Sequence, residues 1–125
     1  MSQTIITSAN APAPIGPYSH AVKANGFIYV SGQVAKKSTG EMVMANIKDE
    51  THQVMANLKA ILSEGGSSLD KVVKTTIFLK DMNDFASVNE VYGSYFTGNY
   101  PARETVQVSR LPLDVNVEIS VVALS

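Results

Sequence analysis

Cysteine is missing from this 125-residue chain, which removes disulfides, thiolate zinc sites and a cysteine nucleophile together. Its absence also fits a reducing compartment. Neither sign of charge is in excess: ten Lys and Arg stand against eleven Asp and Glu, a net charge of −1. With no basic stripe and no acidic tail, nucleic acid is not indicated as a partner. No apolar run approaches the ~20 residues of a membrane-spanning helix. The start, Met1-Ser2-Gln3-Thr4-Ile5-Ile6, lacks the basic and long apolar segments of a signal peptide. These absences predict a cytoplasmic protein with no membrane partner. Histidine is scarce as well. His20 and His52 lie far apart and read as surface or locally hydrogen-bonded residues, so neither a metal site nor a Ser-His-Asp triad is well supplied. No repeat or low-complexity linker divides the chain, so residues 1–125 read as one domain, long enough to bury a core.

What is present is punctuated clearly. Ala11-Pro12-Ala13-Pro14-Ile15-Gly16-Pro17-Tyr18 carries three prolines in six residues and favours an extended, ordered arm. Asn25-Gly26 between β-prone runs predicts a hairpin of 20–23 with 27–30. Phe27, Tyr29 and Ser31 would share one face of the second strand, and Ile28 and Val30 the other. A turn follows at Ser38-Thr39-Gly40. Ile47, Val54, Leu58, Ile61 and Leu62 recur at helical spacing and predict a helix over 47–64. Asn46 is its N-cap, Asp49 and Glu50 lie in its first turn, and Gly65-Gly66 end it in the left-handed region. Lys71–Lys80, rich in Val, Thr, Ile and Phe, reads as a strand. A second helix is expected from about Asp84 to Phe96, capped by Asn83 or Asp81, with Phe85, Val88, Tyr92 and Tyr95 or Phe96 on its apolar stripe. Two final strands follow Pro101.

The order of hairpin, helix, strand, helix and two strands predicts an α+β domain with both helices on one sheet face. The other face would be uncovered. It would carry Ser31 and Glu118, and Arg103 and Thr105 if they share that register. A mixed-polarity face in so short a chain is better explained by self-association in a closed ring than by solvent.

The candidate chemistry lies near the end of the chain. Pro101-Ala102-Arg103-Glu104-Thr105-Val106 and Val117-Glu118-Ile119 read as neighbouring strands joined through Leu111-Pro112. Alternation sends Val115, Val117, Ile119, Val121 and Ala123 to the core, and Asn116, Glu118 and Ser120 to the other face. A simple hairpin sets Glu118 opposite Gln107, roughly 13 Å along the ladder from Arg103. Arginine's fork can grip a carboxylate with two parallel hydrogen bonds, and Glu118 would be free to handle a water or a proton. A structural ion pair, or two solvated strand residues, is the plainer alternative. Tyr18 either pins its arm to the core or delivers a phenol to a cleft. Ser31-Gly32 lacks the Gly-x-Ser-x-Gly context of a nucleophile elbow, though its hydroxyl and nearby N–H groups could hold an oxyanion or carboxylate. Asn89 edges the second helix's apolar stripe, bonded to backbone or to a ligand.

Further blocks accompany these: Ala13-Pro14-Ile15-Gly16-Pro17-Tyr18-Ser19, Val30-Ser31-Gly32-Gln33, Val73-Lys74-Thr75-Thr76, Asp81-Met82-Asn83-Asp84-Phe85 and Val88-Asn89-Glu90-Val91-Tyr92. In this order and at these spacings, over essentially the whole chain, the sequence resembles the Rid (YjgF-type) family and its RidA subgroup. The resemblance implies a chorismate-mutase-like α+β fold in a homotrimer with clefts between subunits. It implies hydrolysis of 2-imino and 2-enamino acids, such as 2-aminoacrylate and 2-iminobutanoate, to 2-keto acids and ammonia, which protects pyridoxal-phosphate enzymes. No cofactor or metal is implied. Arg103 is similar to the family's carboxylate clamp and Glu118 to the residue that positions water and moves a proton. Tyr18, Ser31, Gly32, Asn89 and Thr105 match other pocket positions. Thr105 stands where many members carry cysteine, and Ser120 where a glutamate is common. A non-catalytic carboxylate sensor or regulatory trimer would use the same cleft.

Overall fold

The computed structural model describes residues 2–125. Its strands are β1 (Thr4–Ile6), β2 (Ala21–Ala24), β3 (Phe27–Gln33), β4 (Val72–Leu79), β5 (Ala102–Gln107) and β6 (Val117–Leu124), with helices α1 (Ile47–Glu64) and α2 (Phe85–Gly93). The strands form one mixed sheet in the order β1-β2-β3-β6-β4-β5. Asn25 and Gly26 take φ values of 56° and 84°, the pair of left-handed residues a tight β2–β3 turn requires. Asn46 caps α1, accepting the Asp49 N–H at 2.8 Å, and of the two glycines after the helix it is Gly66 that turns left-handed. The second helix is shorter than expected. It ends at Gly93, and Ser94, Tyr95 and Phe96 continue with tighter bonds to residues three before them. Asp81 caps the short lead-in turn Met82–Asp84 through the Asn83 N–H. Strand β1 is not foreshadowed: three residues are too few to show a period.

The apolar stripes meet as the alternation requires. Val54, Leu58, Ile61 and Leu62 of α1 are wholly buried with Ile28, Ile77, Val117 and Ile119 of the sheet. Both helices belong to one face. On the other face the large apolar groups Ile5, Tyr29, Val106 and Leu124 stay exposed, interspersed with Lys74, Thr76, Glu104, Glu118 and Ser120.

The two final strands are not neighbours, which corrects the expected hairpin. β5 pairs in parallel with β4, and β4 separates it from β6. A parallel pair needs a crossover, and α2 supplies it. The register reverses one facing assignment. Arg103 lies level with Thr75 and Thr105 with Ile77, both buried residues of the helix side, so Arg103 and Thr105 belong to that side. Glu104 and Val106 take the open face. Glu118, level with Phe78, is on the open face as expected.

Asn116 also departs from simple alternation. It precedes β6, and its side chain binds Glu50 beneath α1. The wholly buried Glu50 carboxylate accepts from Asn116 N at 2.8 Å, Asn116 Nδ2 at 2.7 Å and Val117 N at 3.2 Å. A buried carboxylate needs such donors. Glu50 is therefore a tie between helix and strand and not merely a first-turn charge.

Candidate functional site

Two cavities hold the candidate residues, one on each side of the sheet. The first, about 370 Å³, is lined by Ile15, Tyr18, Ser31, Gly32, Val34, Pro112, Leu113 and Glu118. It forms where β3 slips against β6: Val30 faces Val121 but Gln33 faces Ile119, so β3 carries an extra residue around Ser31-Gly32. The Glu118 carboxylate packs directly on Gly32. A β-carbon at Gly32 would lie 2.1 Å from Glu118 Oε2, so only glycine leaves the carboxylate room. Glu118 is half-buried among these apolar walls and has no hydrogen-bond or ion-pair partner among the described residues. Burial pushes its pKa above the ordinary carboxylate value.

The proline-rich arm closes one side of this cavity. Ser31 Oγ donates to the Ser19 carbonyl at 2.6 Å, and Ser31 N donates to the His20 carbonyl at 2.9 Å. Ser31 therefore docks the arm, and Tyr18 stands beside Glu118 as a result. The Tyr18 hydroxyl accepts from Ile15 N at 3.4 Å and nearly half of the residue stays exposed. His20 bonds locally, as expected, but it is buried. Its Nδ1 accepts from Ser8 N at 3.0 Å, and Nε2 donates to the Pro12 carbonyl at 2.7 Å. His52 bonds through Nδ1 to the Tyr95 hydroxyl at 2.8 Å, away from both cavities.

The second cavity, about 440 Å³, is lined by Asn89, Tyr92, Gly93, Tyr100, Pro101 and Arg103. Arg103 Nη1 donates to Asn89 Oδ1 at 2.6 Å, the only hydrogen bond of its side chain among the described residues. Its guanidinium carbon lies 5.3 Å from the Tyr92 ring centre and 5.7 Å from that of Phe85. Tyr92 is fixed in turn by donation to Thr75 Oγ1 at 2.8 Å. Asn89 thus acts on the arginine. Thr105 lines neither cavity, and its Oγ1 is buried without a partner among the described residues.

A single chain therefore gathers Tyr18, Ser31, Gly32 and Glu118 in one place, and Arg103 with Asn89 in another. Along β4 the two reference rows, Phe78 and Thr75, are three residues apart, and the bearing strands are two apart. That puts the Cα atoms of Glu118 and Arg103 roughly 14 Å apart, on opposite faces. The cavity walls Val34 and Leu113, and the rim residue Tyr100, carry no signal in the sequence. Phe85 and Tyr92 are legible there only as apolar stripe. Among the described residues no group of three or more His, Cys, Asp or Glu is placed to hold a metal ion, and no helix is long and apolar enough to cross a membrane.

Chemically, the first cavity offers a half-buried carboxyl group with no partner among the described residues, beside open space. The second offers a cation with free N–H donors. Known proteins share this chain's sequence and fold. A family model described as Endoribonuclease L-PSP matches residues 8–125. A RutC family protein of Pyrococcus horikoshii is 54% identical over 120 residues, covering 95% of each chain. The 2-iminobutanoate/2-iminopropanoate deaminase of Mus musculus is 46% identical over 121 residues, 96% of this chain and 90% of that protein. The crystal structure of Escherichia coli TdcF with bound serine superposes with a TM-score of 0.93 at 40% identity, covering 98% of each chain.

Proposed function

We propose, from the premise that this chain belongs to the Endoribonuclease L-PSP family of YjgF-type, or Rid, proteins, that it hydrolyses reactive 2-imino and 2-enamino acids to 2-keto acids and ammonia. A reactive intermediate deaminase is the activity that the family membership and the named deaminase relatives support at the level of class. Substrates such as 2-aminoacrylate and 2-iminobutanoate, and protection of the pyridoxal-phosphate enzymes that release them, are the finer reading.

The observation that carries it is the division of one set of catalytic requirements between two half-sites. We read the working site as intersubunit, in a homotrimer closed over the open sheet face. Arg103 of one subunit grips the substrate carboxylate. Glu118, Tyr18, Ser31 and Gly32 of the next line the water-bearing side. The exposed Tyr29, Val106, Leu124 and Ile5 on the open face support such an assembly. That the similar TdcF protein binds serine supports a small amino-acid-like ligand.

An imine is already electrophilic, so positioning and proton transfer suffice. Water adds to the C=N carbon of the iminium acid, and ionised Glu118 takes its proton. Glu118 then returns the proton to the carbinolamine nitrogen, the C–N bond breaks as the C=O bond forms, and the hydroxyl proton passes to the departing ammonia, which leaves as ammonium. One water enters; one keto acid and one ammonium ion leave. The raised pKa of Glu118 supports this role, because the group changes charge closer to neutrality than an ordinary carboxylate. Thr105 lies on the helix side of β5 two residues beyond Arg103, and any contribution to the substrate is expected from its backbone, not its hydroxyl. The protein is expected in the cytoplasm, without cofactor, membrane or nucleic-acid partner. Net charge of −1, with no basic stripe in the sequence, weighs against RNA cleavage despite the endoribonuclease name of the family.

The test is to generate 2-iminobutanoate with a threonine dehydratase and trap it with semicarbazide. The protein should lower the trapped signal, and Arg103→Ala and Glu118→Ala should not. Undiminished trapping by a protein that still binds keto acid would favour a carboxylate sensor. A solution mass of one subunit at micromolar concentration would remove the intersubunit site.

A further inference from the structure

Phe85, Asn89 and Tyr92 stand at positions i, i+4 and i+7 of α2, so their side chains form one ridge along the helix. All three contact the guanidinium of Arg103. Phe85 and Tyr92 are two turns apart, about 10.5 Å along the axis. The Arg103 guanidinium carbon, 5.7 Å from one ring centre and 5.3 Å from the other, is in reach of both ends of this ridge. Both distances fall within the ~6 Å reach of a cation over an aromatic face.

Phe85 is not held there by the core. It is 37% exposed, whereas Val88 on the next position of the stripe is 1% exposed. With more than a third of its surface open, Phe85 sits at the rim of the core and not inside it. What it covers is Arg103.

We propose that Phe85 and Tyr92 form an aromatic slot that fixes the plane of the Arg103 guanidinium, with Asn89 fixing its rotation, so that Phe85 is a positioning residue for the carboxylate of the substrate. This rests on the carboxylate-clamp reading of Arg103 given above. A guanidinium flanked by two rings is reached edge-on, in the plane of its N–H bonds. Asn89 takes one of the five N–H groups, and the remaining edge meets the cavity. In-plane approach is what two parallel N–H···O bonds to a carboxylate require. Without the Phe85 ring the guanidinium keeps its charge but regains freedom to tilt.

The test uses the intact protein and 2-oxobutanoate as probe, titrated calorimetrically into wild type, Phe85→Leu, Phe85→Tyr and Arg103→Ala. Leucine keeps apolar bulk and loses the ring; tyrosine keeps the ring. Phe85→Leu should bind about three- to tenfold more weakly, with KM for 2-iminobutanoate rising in step and kcat within twofold. Phe85→Tyr should restore wild-type binding, and Arg103→Ala should abolish it. Wild-type affinity in Phe85→Leu, or equal weakening in the leucine and tyrosine variants at unchanged melting temperature, would overturn the slot while the clamp stood. Undiminished binding by Arg103→Ala would overturn the clamp, and the slot with it.

Discussion

The two halves of the candidate site are built on opposite plans. Arg103 is surrounded by side chains that hold it: the Asn89 carbonyl that accepts its hydrogen bond, and two aromatic rings, one of them the Tyr92 ring pinned by Thr75. Glu118 is surrounded by groups that leave it alone: a glycine with no side chain, an aromatic arm and apolar walls. A binding group gains from being fixed, because each restrained torsion is freedom the ligand need not remove. A proton-transfer group gains from being unpartnered, because a strong ion pair would lock it in one charge state. The chain concentrates contacts in the first half and withholds them in the second.

The sharpest way to break this contrast is Glu118→Gln, which keeps shape and removes the exchangeable proton. Turnover of 2-iminobutanoate should fall about 10²- to 10⁴-fold while 2-oxobutanoate affinity changes less than about twofold. A comparable loss of affinity would mean that Glu118 binds and does not only react. Gly32→Ala comes next. The added methyl displaces the carboxylate, and activity should drop about 10²-fold. The displaced group is the tip of a flexible side chain, so the melting temperature should move little, and calorimetry would show whether it does. Arg103→Lys replaces the fork by a point charge, and KM should rise roughly ten- to a hundredfold with kcat nearly preserved. Equal KM in the lysine variant would refute two-point grip.

The smallest effect is a pH dependence of stability. Burial holds the Glu118 pKa above its ordinary 4.5. Between that value and the folded one, the folded chain binds more protons than the unfolded chain, so stability falls as pH rises. The penalty is absent below the ordinary pKa and complete above the folded one. Glu118→Gln escapes it. Its melting temperature should exceed that of wild type by a few degrees at pH 7, and by less at pH 4. An advantage that is the same at both pH values would assign the gain to something other than this carboxyl.

Features set by near neighbours along the chain are legible in the sequence itself. Asn25-Gly26 needs two left-handed residues, Asn46 needs one N–H three residues on, and Val117 to Ala123 alternate because a strand has period two. What alternation cannot supply is the identity of the partner strand. Whether Arg103 sides with Glu118 depends on β5 pairing with β4 in parallel, which is decided by where α2 delivers the chain. The same limit hides the role of Glu50, whose partners are Asn116 and Val117. The Rid resemblance supplies the residues of both half-sites, yet local pattern puts them on one face. The aromatic ridge of α2 looks like core, because an arginine's cover and a core stripe share one spacing.

The strand order has a consequence for how the molecule is made. β6 is the last of the six strands to be synthesised, yet it lies between β3 and β4. Until residues 117–124 are available, β1–β3 and β4–β5 share no ladder. The ribosome therefore delivers two half-sheets that wait for their common centre. The sheet closes in one late event, through pairings distant in sequence of the kind that slow folding. A nascent chain stalled before Val117 would present unpaired strand edges to its surroundings, a natural target for chaperones and proteases.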